Sequence, residues 1–181
     1  MSDADDADAK VTSQFFRPRF CPACGERLDK KEDHMACPAC RRRHYQNAKP
    51  CVGGLVLRDG RLMLVKRGRD PFVGWWDVPG GFLNVHEHPE NAVRRELLEE
   101  TGLIVEPGKL IGIYLDTYQF GEDTHATLNL FYECAVVGGV ERFGDDAIEL
   151  KWFALDALPT SIAFASARKM LVDWRLGQLA D

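Results

Sequence analysis

Three glutamates in one predicted helix have a spacing that could form a metal-binding site. Glu96, Glu99 and Glu100 are three and four positions apart, so their carboxylates project from one face of a helix. Such like charges repel one another unless they are neutralised, and clustered carboxylate oxygens suit a hard cation such as Mg²⁺ or Mn²⁺. The alternative is a solvated acidic face, which is what most glutamate runs form.

The neighbouring residues favour the metal site. Pro79-Gly80-Gly81 predicts a tight, sterically open turn just before the helix, where backbone can approach a ligand. Arg95 directly precedes the first glutamate and could hold a carboxylate through a bidentate contact. Val93 and Leu97 lie on an adjacent face and can anchor the helix to a core.

This region resembles the Nudix box, the signature of the Nudix hydrolase family. The matching positions, in order, are Gly81, Glu87, Arg95, Glu96, Leu97, Glu99, Glu100, Gly102 and Leu103. Flanking similarity, from Gly74 to Pro79 and from Glu149 to Leu155, extends the resemblance over residues 48–158. The box departs from the usual pattern at His86, where glycine usually precedes the first glutamate, and at Asn84, a position that is often acidic.

The resemblance implies both a fold and a reaction. The fold would be of the α/β (α+β) class, a Nudix α/β/α sandwich with a mixed β-sheet between helices. The reaction would be metal-dependent hydrolysis of the diphosphate linkage in a nucleoside diphosphate joined to another moiety, with release of a nucleoside monophosphate. FAD, ADP-ribose, NAD(H) and related conjugates all remain open as substrates.

The resemblance also assigns roles to particular residues. The catalytic Mg²⁺ or Mn²⁺ would be bound by Glu96, Glu99 and Glu100, with Glu87 as an outer or additional ligand and with a backbone carbonyl from Gly81 or Gly80. Arg95 would orient the carboxylates.

The general base is left open between two places in the sequence. One is the helix, where Glu99 or Glu100 could take the proton of the attacking water. The other is Glu149, which stands before a later predicted strand and could equally be a surface residue.

Four of the six cysteines form a second candidate metal site. Two Cys-x-x-Cys pairs, twelve residues apart, consist of Cys21 with Cys24 and Cys37 with Cys40. Four thiolates can bind Zn²⁺ tetrahedrally in a closed, structural site. Disulfides are the alternative, and a reducing compartment disfavours them. His34 and His44 are reserve ligands.

The cysteine segment resembles the zinc ribbon that precedes the Nudix domain in NADH pyrophosphatase-like members. Those members carry the sequence Ser-Gln-Pro-Trp-Pro-Phe downstream of the box, whereas residues 110–120 here contain nothing similar. We therefore do not assume that NADH is the substrate.

Basic residues in the cysteine segment raise an alternative function. Arg41–Arg43 precede His44 and Tyr45, and cations beside an aromatic ring could follow a phosphate backbone. The chain could then be a regulatory Nudix protein that binds nucleic acid or a partner. We favour the alternative, a solvated basic face that docks on an acidic domain or on a second subunit, because one short run does not form a stripe.

Residues that recognise the rest of the substrate are less distinctive in sequence. Trp75 and Phe72, in the loop before the box, could stack on a base, and Arg67 could reach a phosphate. Core packing is the alternative for every aromatic residue, including the further candidates Tyr114, Tyr118 and Phe120.

The elements that must position these residues follow from hydrophobic periodicity and turn signals. Strands are predicted at 51–58 and 61–67 around Asp59-Gly60, and then at 76–78, 109–119, 124–137 and 150–154. Helices are predicted at 88–101, with Gly102 just past the end, and at 164–178.

Composition divides the 181 residues into three parts. Residues 1–14 predict a disordered acidic tail, 15–46 the zinc ribbon and 47–181 the Nudix domain. The ten basic and four acidic residues of 10–50 contrast with thirteen basic and twenty acidic residues in 51–181, which indicates two units with different tasks.

The same composition bears on location and assembly. The chain has no basic and apolar leader and no apolar run approaching the roughly 18–20 residues that cross a bilayer, so we expect a cytoplasmic protein without a membrane partner. The resemblance implies a homodimer.

Overall fold

The computed structural model describes residues 17–121, 123–144 and 146–178. The predicted acidic tail, 1–14, lies outside these residues. The described chain divides into two compact units: 17–48 with 119–121 and 123–126, and 49–118 with 127–144 and 146–178. The domain boundaries taken from the sequence stay a prediction.

The first unit contains a small antiparallel sheet. Its strands, in the order β1-β2-β3, are β1 (Asp29–Lys30), β2 (His34–Ala36) and β3 (Arg43–Tyr45). Its buried core consists of Cys21, Leu28 and Cys37, with Met35 packed against them. Such a core is too small to order a unit of this size by apolar burial alone.

The second unit is built on a seven-stranded mixed sheet. Its strands are β4 (Lys49–Arg58), β5 (Arg61–Arg67), β6 (Trp76–Asp77), β7 (Gly80–Phe82), β8 (Leu103–Phe120), β9 (Asp123–Gly139) and β10 (Ala147–Ala154). Residues 119–120 of β8 and 123–126 of β9 belong to the first unit. The main order is β10-β5-β4-β9-β8, with β6 beside β5 and β7 beside β4. The β4/β9 pair is parallel, whereas the pairs β10/β5, β4/β5, β4/β7 and β5/β6 are antiparallel.

Two helices cover opposite faces of this sheet. Helix α1 (Pro89–Thr101) packs on Val52, Val56 and Met63, and helix α2 (Ala165–Gln178) packs on Leu55, Leu62 and Leu64. Since neighbouring side chains of a strand point to opposite faces, Met63 contributes to one core and Leu62 and Leu64 to the other. The expected α/β/α sandwich with a mixed sheet is confirmed.

Each predicted strand and helix has a counterpart in the structure, but β1–β3 and β7 were not predicted. The largest differences in bounds are at two strand starts. Strand β10 begins at Ala147 rather than Leu150, and β8 begins at Leu103 rather than Lys109. The sequence signal for β8 was hidden by Pro107-Gly108. Proline is tolerated there because β8 is an edge strand, where one side of the backbone needs no ladder partner. Among the described residues, no helix has the length and apolar character to span a membrane.

Candidate active site

Hydrogen bonds at both ends of helix α1 fix where it begins and ends, and therefore where its glutamates lie. His88 caps its first turn by accepting a hydrogen bond from the Glu90 N–H, 3.4 Å away. At the other end Gly102 has a φ of +70° and donates to the Leu98 carbonyl. A side chain at Gly102 would also bring its Cβ within 2.3 Å of the Val140 carbonyl oxygen. Glycine is therefore required for two independent reasons.

The three glutamates of α1 differ in exposure. Buried Val93 and Leu97 anchor the helix on the sheet. The Glu96 side chain is 13% exposed and that of Glu99 is 59% exposed. The carboxyl of Glu100 is held by the backbone, because the Gly80 N–H donates to its Oε2 atom at 2.9 Å. The glutamate face therefore runs from solvent into the sheet.

Two glycines let strand β7 lie directly against these carboxylates. A Cβ on Gly81 would fall 2.5 Å from the Glu96 carboxyl carbon, and one on Gly80 would fall 2.1 Å from the Val52 carbonyl oxygen. Neither position can therefore hold a side chain without a shift of backbone or carboxylate. Gly80 and Gly81, which the sequence placed in an open turn, lie instead in strand β7, and their backbone meets the glutamates there.

Arg95 connects the carboxylates to one another. Its guanidinium donates to both oxygens of Glu87, at 2.8 and 2.7 Å, to Glu96 at 2.6 Å and to Glu99 at 3.2 Å. It also donates to the Phe82 carbonyl at 3.0 Å. The pairing with Glu87 is bidentate and lowers the pKa of Glu87 to about 2. Glu87 thus holds Arg95, and its oxygens face the arginine rather than open solvent.

The loop before α1 contains a strained residue. Glu87 Oε2 accepts from the Asn84 N–H at 2.9 Å, so the backbone of Asn84 stabilises the loop. Between them, His86 has a φ of +66°. This left-handed conformation costs a residue with a Cβ about 1–2 kcal/mol, which explains physically why glycine is usual at this position of the box.

Replacing His86 by glycine is expected to stabilise the protein. Relief of the left-handed strain, offset by the larger unfolded-state entropy of glycine, should leave a gain of about 0.5–1 kcal/mol. For a chain of this size, such a gain raises Tm by about 2 °C. Thermal unfolding followed by circular dichroism measures it. His86→Ala keeps the Cβ and should show no gain, and an equal rise in both variants would contradict the strain.

Burial changes the protonation of the innermost acids. Loss of solvent raises the pKa of Glu100 to about 8 and that of Asp77, on β6, to about 7. Burial also raises the pKa of Glu96, although Arg95 opposes the shift. Carboxyls that are costly to ionise in this setting are stabilised as anions by a bound cation.

These residues line a cleft of about 350 Å³. Besides Arg95 and the three helix glutamates, its walls include Gly80, Gly81, Asp77, Asp146, Arg67 and Arg69. The oxygen-rich lining fits a hard divalent cation. Mg²⁺ is typically held by one or two carboxylates together with substrate phosphates and water. It therefore does not require three carboxylates to meet, and no three do so within 4.8 Å among the described residues.

Asp77 and Asp146 were not among the residues singled out in the sequence. Asp77 is buried in a short strand and contacts Arg67 at 3.4 Å, and Asp146 pairs with Arg69. An acid between Trp76 and Val78, inside an apolar segment, was the available signal for Asp77. Nothing in the sequence distinguishes Asp146 from other acids before a strand.

The other candidate residues fall in different places. Glu149 does not line the cleft, and its carboxylate pairs with Lys66 at 3.1 Å on the sheet. Trp75 and Phe72 are 41% and 40% exposed, and their rings contact each other outside the lining of the cleft. Arg67 does line it, and is held by the Pro71 carbonyl at 2.7 Å.

The four N-terminal cysteines come together through two equivalent turns. In the first, the Gly25 N–H donates to the Cys21 carbonyl and the Cys21 N–H donates to Glu26. In the second, Arg41 and Arg42 make the same two bonds with Cys37. Gly25 and Arg41 both have positive φ, of 75° and 61°. The repeated Cys-Pro-Ala-Cys sequence thus produces a repeated turn.

The geometry of the thiols fits a tetrahedral zinc site. The four sulfur atoms lie within 4.8 Å of one another, with 3.6 Å between Cys21 and Cys40 and 3.5 Å between Cys24 and Cys37. Tetrahedral Zn–S bonds of about 2.3 Å would place sulfurs about 3.8 Å apart, whereas a disulfide needs about 2.05 Å. None of the six cysteines forms a disulfide. His44 Nε2 lies 3.5 Å from the Cys21 sulfur, beside the cluster.

Comparison with known proteins gives a consistent result. The model of the NUDIX domain family matches residues 48–174. An ADP-ribose pyrophosphatase from Methanocaldococcus jannaschii is 34% identical over 137 residues, which cover 75% of this chain and 79% of that protein. An NAD-capped RNA hydrolase from Vibrio atlanticus is 38% identical over 160 residues, 86% of this chain and 56% of that protein. The chain thus spans little more than half of the second relative.

A solved structure agrees with the sequence matches. A Nudix hydrolase from Nitrosomonas europaea superposes with a TM-score of 0.74 at 25% identity, covering 85% of this chain and 88% of that one. The family match includes the glutamate helix and the sheet on which it packs. The chain therefore belongs to the Nudix hydrolase family.

Proposed function

We propose that this enzyme hydrolyses the diphosphate linkage of a nucleotide conjugate and releases a nucleoside monophosphate. The observation that carries the proposal is the cleft that Glu96, Glu99 and Glu100 line together with Gly80 and Gly81 of β7. ADP-ribose is the first conjugate to test, because the relative from M. jannaschii is named an ADP-ribose pyrophosphatase. FAD, NAD(H) and nucleotide sugars are the others.

The chain's own residues would orient the reaction. Arg95 fixes Glu96 and Glu99 relative to each other, and Gly80 fixes Glu100 through its N–H. When bound by these glutamates, Mg²⁺ or Mn²⁺ would neutralise the diphosphate and lower the pKa of the attacking water. Glu87 would act by holding Arg95 rather than as a direct ligand. The carbonyl of Gly81 or Gly80 is a further donor.

Among the candidate bases we favour Glu99. Its carboxylate is the most exposed of the three in the cleft, so it can reach solvent water. Glu100 is tied to the Gly80 N–H, and Glu149 is paired with Lys66 away from the cleft. A base must lie within hydrogen-bond reach of the water that it activates, and this geometry favours the helix over β10.

Turnover of ADP-ribose should depend strictly on a divalent metal. We expect AMP release in the presence of Mg²⁺ or Mn²⁺ and its loss on addition of EDTA, because the diphosphate charge is then left unneutralised. Chromatography of the products over a panel of FAD, NADH, ADP-ribose and nucleotide sugars measures the effect. Metal-independent turnover, or no monophosphate from any conjugate, would contradict the proposal.

We also propose that the four cysteines hold a structural Zn²⁺. A closed shell of four thiolates leaves no position for substrate, so the zinc would take no part in hydrolysis. The support is the sulfur geometry together with the small apolar core of the first unit.

Hydrolysis of a nucleotide-capped RNA is a second candidate function. The 160 residues aligned with the V. atlanticus RNA hydrolase exceed the 134 residues from 48 to 181, so this similarity extends into the cysteine segment. Salt-sensitive RNA binding that is lost when Arg41–Arg43 are neutralised would support this candidate. If the variant with Arg41–Arg43 neutralised hydrolyses capped RNA as fast as it hydrolyses the free conjugate, the basic run does not contribute to RNA turnover. That result would oppose this candidate.

The homodimer and the cytoplasmic location stay predictions. Sedimentation of the purified chain tests the first, and cell fractionation tests the second.

A further inference from the structure

A second cavity continues the carboxylate cleft along the sheet. The two share seven lining residues, which include Arg67, Asp77, Phe82 and Tyr118. A substrate whose diphosphate lies beside the glutamates would therefore have one of its flanking groups next to this cavity. In composition the second cavity is the more apolar of the two, and its lining comes from strands β4 to β9, from Phe164 and from helix α2.

Aromatic rings form one wall of this cavity. The Phe82 and Tyr118 rings lie 5.4 Å apart, nearly perpendicular, and the Tyr118 and Phe164 rings lie 5.9 Å apart and nearly parallel. The Arg67 guanidinium lies over Phe164, 4.8 Å from the ring centre. Phe82 is 38% exposed, although it is a large apolar residue at the active-site mouth. Such surfaces bind flat heteroaromatic rings by stacking.

Polar groups on the same cavity can recognise the edge of a ring. Asp116 on β8 lines it, together with Thr127, Asn129 and Ser166. The Asp116 carboxylate is fixed by two backbone donors, since Oδ1 accepts from the Thr117 N–H at 2.8 Å and Oδ2 from the Ser166 N–H at 2.6 Å. A carboxylate has about four acceptor positions, so each oxygen can accept a further bond.

We propose that this cavity binds the nucleobase of the substrate and that Asp116 selects a base carrying an amino group. The inference rests on the proposed hydrolysis and identifies the class of nucleotide that it uses. An ionised carboxylate only accepts hydrogen bonds. The amino group of adenine donates to it, whereas a purine without the amino group has no donor at this edge.

The competing explanation is that Asp116 only stabilises the fold. Its bond to the Ser166 N–H lies in the first turn of α2, where a carboxylate is a favourable cap. A cap acts on stability and reduces turnover of every substrate alike. A recognition residue changes the ratio between substrates, so the two explanations give different results.

The test compares ADP-ribose with the analogue whose base is unsubstituted purine, in which a hydrogen replaces the amino group and N1 stays unprotonated, so that this edge of the base has no donor. Wild-type enzyme should prefer ADP-ribose by at least about tenfold in kcat/KM, because a site that accepts a hydrogen bond rejects an analogue that cannot donate it. In Asp116→Asn, whose amide can accept or donate, the ratio should fall towards one. The amide oxygen still accepts from Ser166, so the variant should fold.

Two further variants complete the test. Asp156→Asn removes one charge at an exposed position that lines neither cavity, and the ratio should stay as in wild type. Phe82→Ala removes a stacking surface and should raise KM for both substrates about tenfold, with the ratio kept. An unchanged ratio in Asp116→Asn would overturn the inference, whether or not Tm falls.

Binding of the products separates this inference from the proposed function. Calorimetry should show that AMP binds at least about tenfold more tightly than purine riboside monophosphate, which lacks the amino group, and that Asp116→Asn removes the difference. If AMP is preferred while no conjugate is hydrolysed, the base pocket stands and the proposed hydrolysis fails. If conjugates are hydrolysed while AMP and purine riboside monophosphate bind equally, the hydrolysis stands and the base selection is wrong.

Discussion

Replacing Glu100 by glutamine is expected to lower kcat at least about 100-fold while the protein stays folded. Preorganised charges that stabilise a transition state are commonly worth two to three orders of magnitude, and a divalent ion beside a diphosphate depends on the negative charge of its ligands. The amide oxygen can still accept from the Gly80 N–H, as Glu100 does at 2.9 Å. Only the charge is removed.

The Glu100→Gln substitution should not lower stability, although it lowers activity. Burial raises the pKa of Glu100 to about 8, so the carboxylate is an unfavourable group at this position in the absence of a cation. We therefore expect Tm of Glu100→Gln to equal or exceed that of wild type without added metal. Thermal unfolding without added metal measures the effect on stability. Steady-state hydrolysis of ADP-ribose at saturating Mg²⁺ measures the effect on activity.

Glu90→Gln is the matched control. It removes one charge from the first turn of the same helix, at a residue that does not line the cleft. Its kcat should stay close to wild type. Wild-type turnover in both Glu99→Gln and Glu100→Gln would contradict the assignment of the glutamate face, and an equal loss in Glu90→Gln would indicate a general electrostatic effect instead.

The glutamate face was predictable because its signals are local. A helix at 88–101 follows from its period and its glycine end, and the structure begins it at Pro89 and ends it at Thr101. The spacing of Glu96, Glu99 and Glu100 then places them on one face in any fold. Likewise, the repeated Cys-Pro-Ala-Cys turns need few contacts beyond their own residues.

The rest of the site depends on contacts between distant segments. Phe82, Tyr118 and Phe164 lie in three separate parts of the chain and meet only through the order of the sheet strands and the position of α2. Trp75 was singled out because it precedes the box in sequence, yet its ring lies outside the lining of both cavities. Sequence proximity to a motif is therefore a poor guide to substrate contacts.

Replacing Cys37 by serine is expected to abolish binding of the proposed zinc and to unfold the first unit. Two of the three buried core residues of that unit are cysteines, and its strands are two to three residues long. Structural zinc supplies about 10–16 kcal/mol of apparent binding energy in zinc-finger peptides, which is the main source of order available here. Cys37 is 2% exposed, and its sulfur also accepts from the Cys40 N–H at 3.4 Å.

Two measurements follow the zinc and the structure separately. Metal analysis should give one zinc per wild-type chain and much less in Cys37→Ser, and amide hydrogen exchange over residues 17–48 should lose its protection. Cys134→Ala is the control, since Cys134 is buried in the sheet core and lies outside the thiol cluster. It should keep one zinc. A Cys37→Ser protein that loses zinc but keeps its hydrogen-exchange protection would contradict this prediction, because the first unit would then be ordered by something other than a metal. Its three-residue core gives no physical reason to expect that.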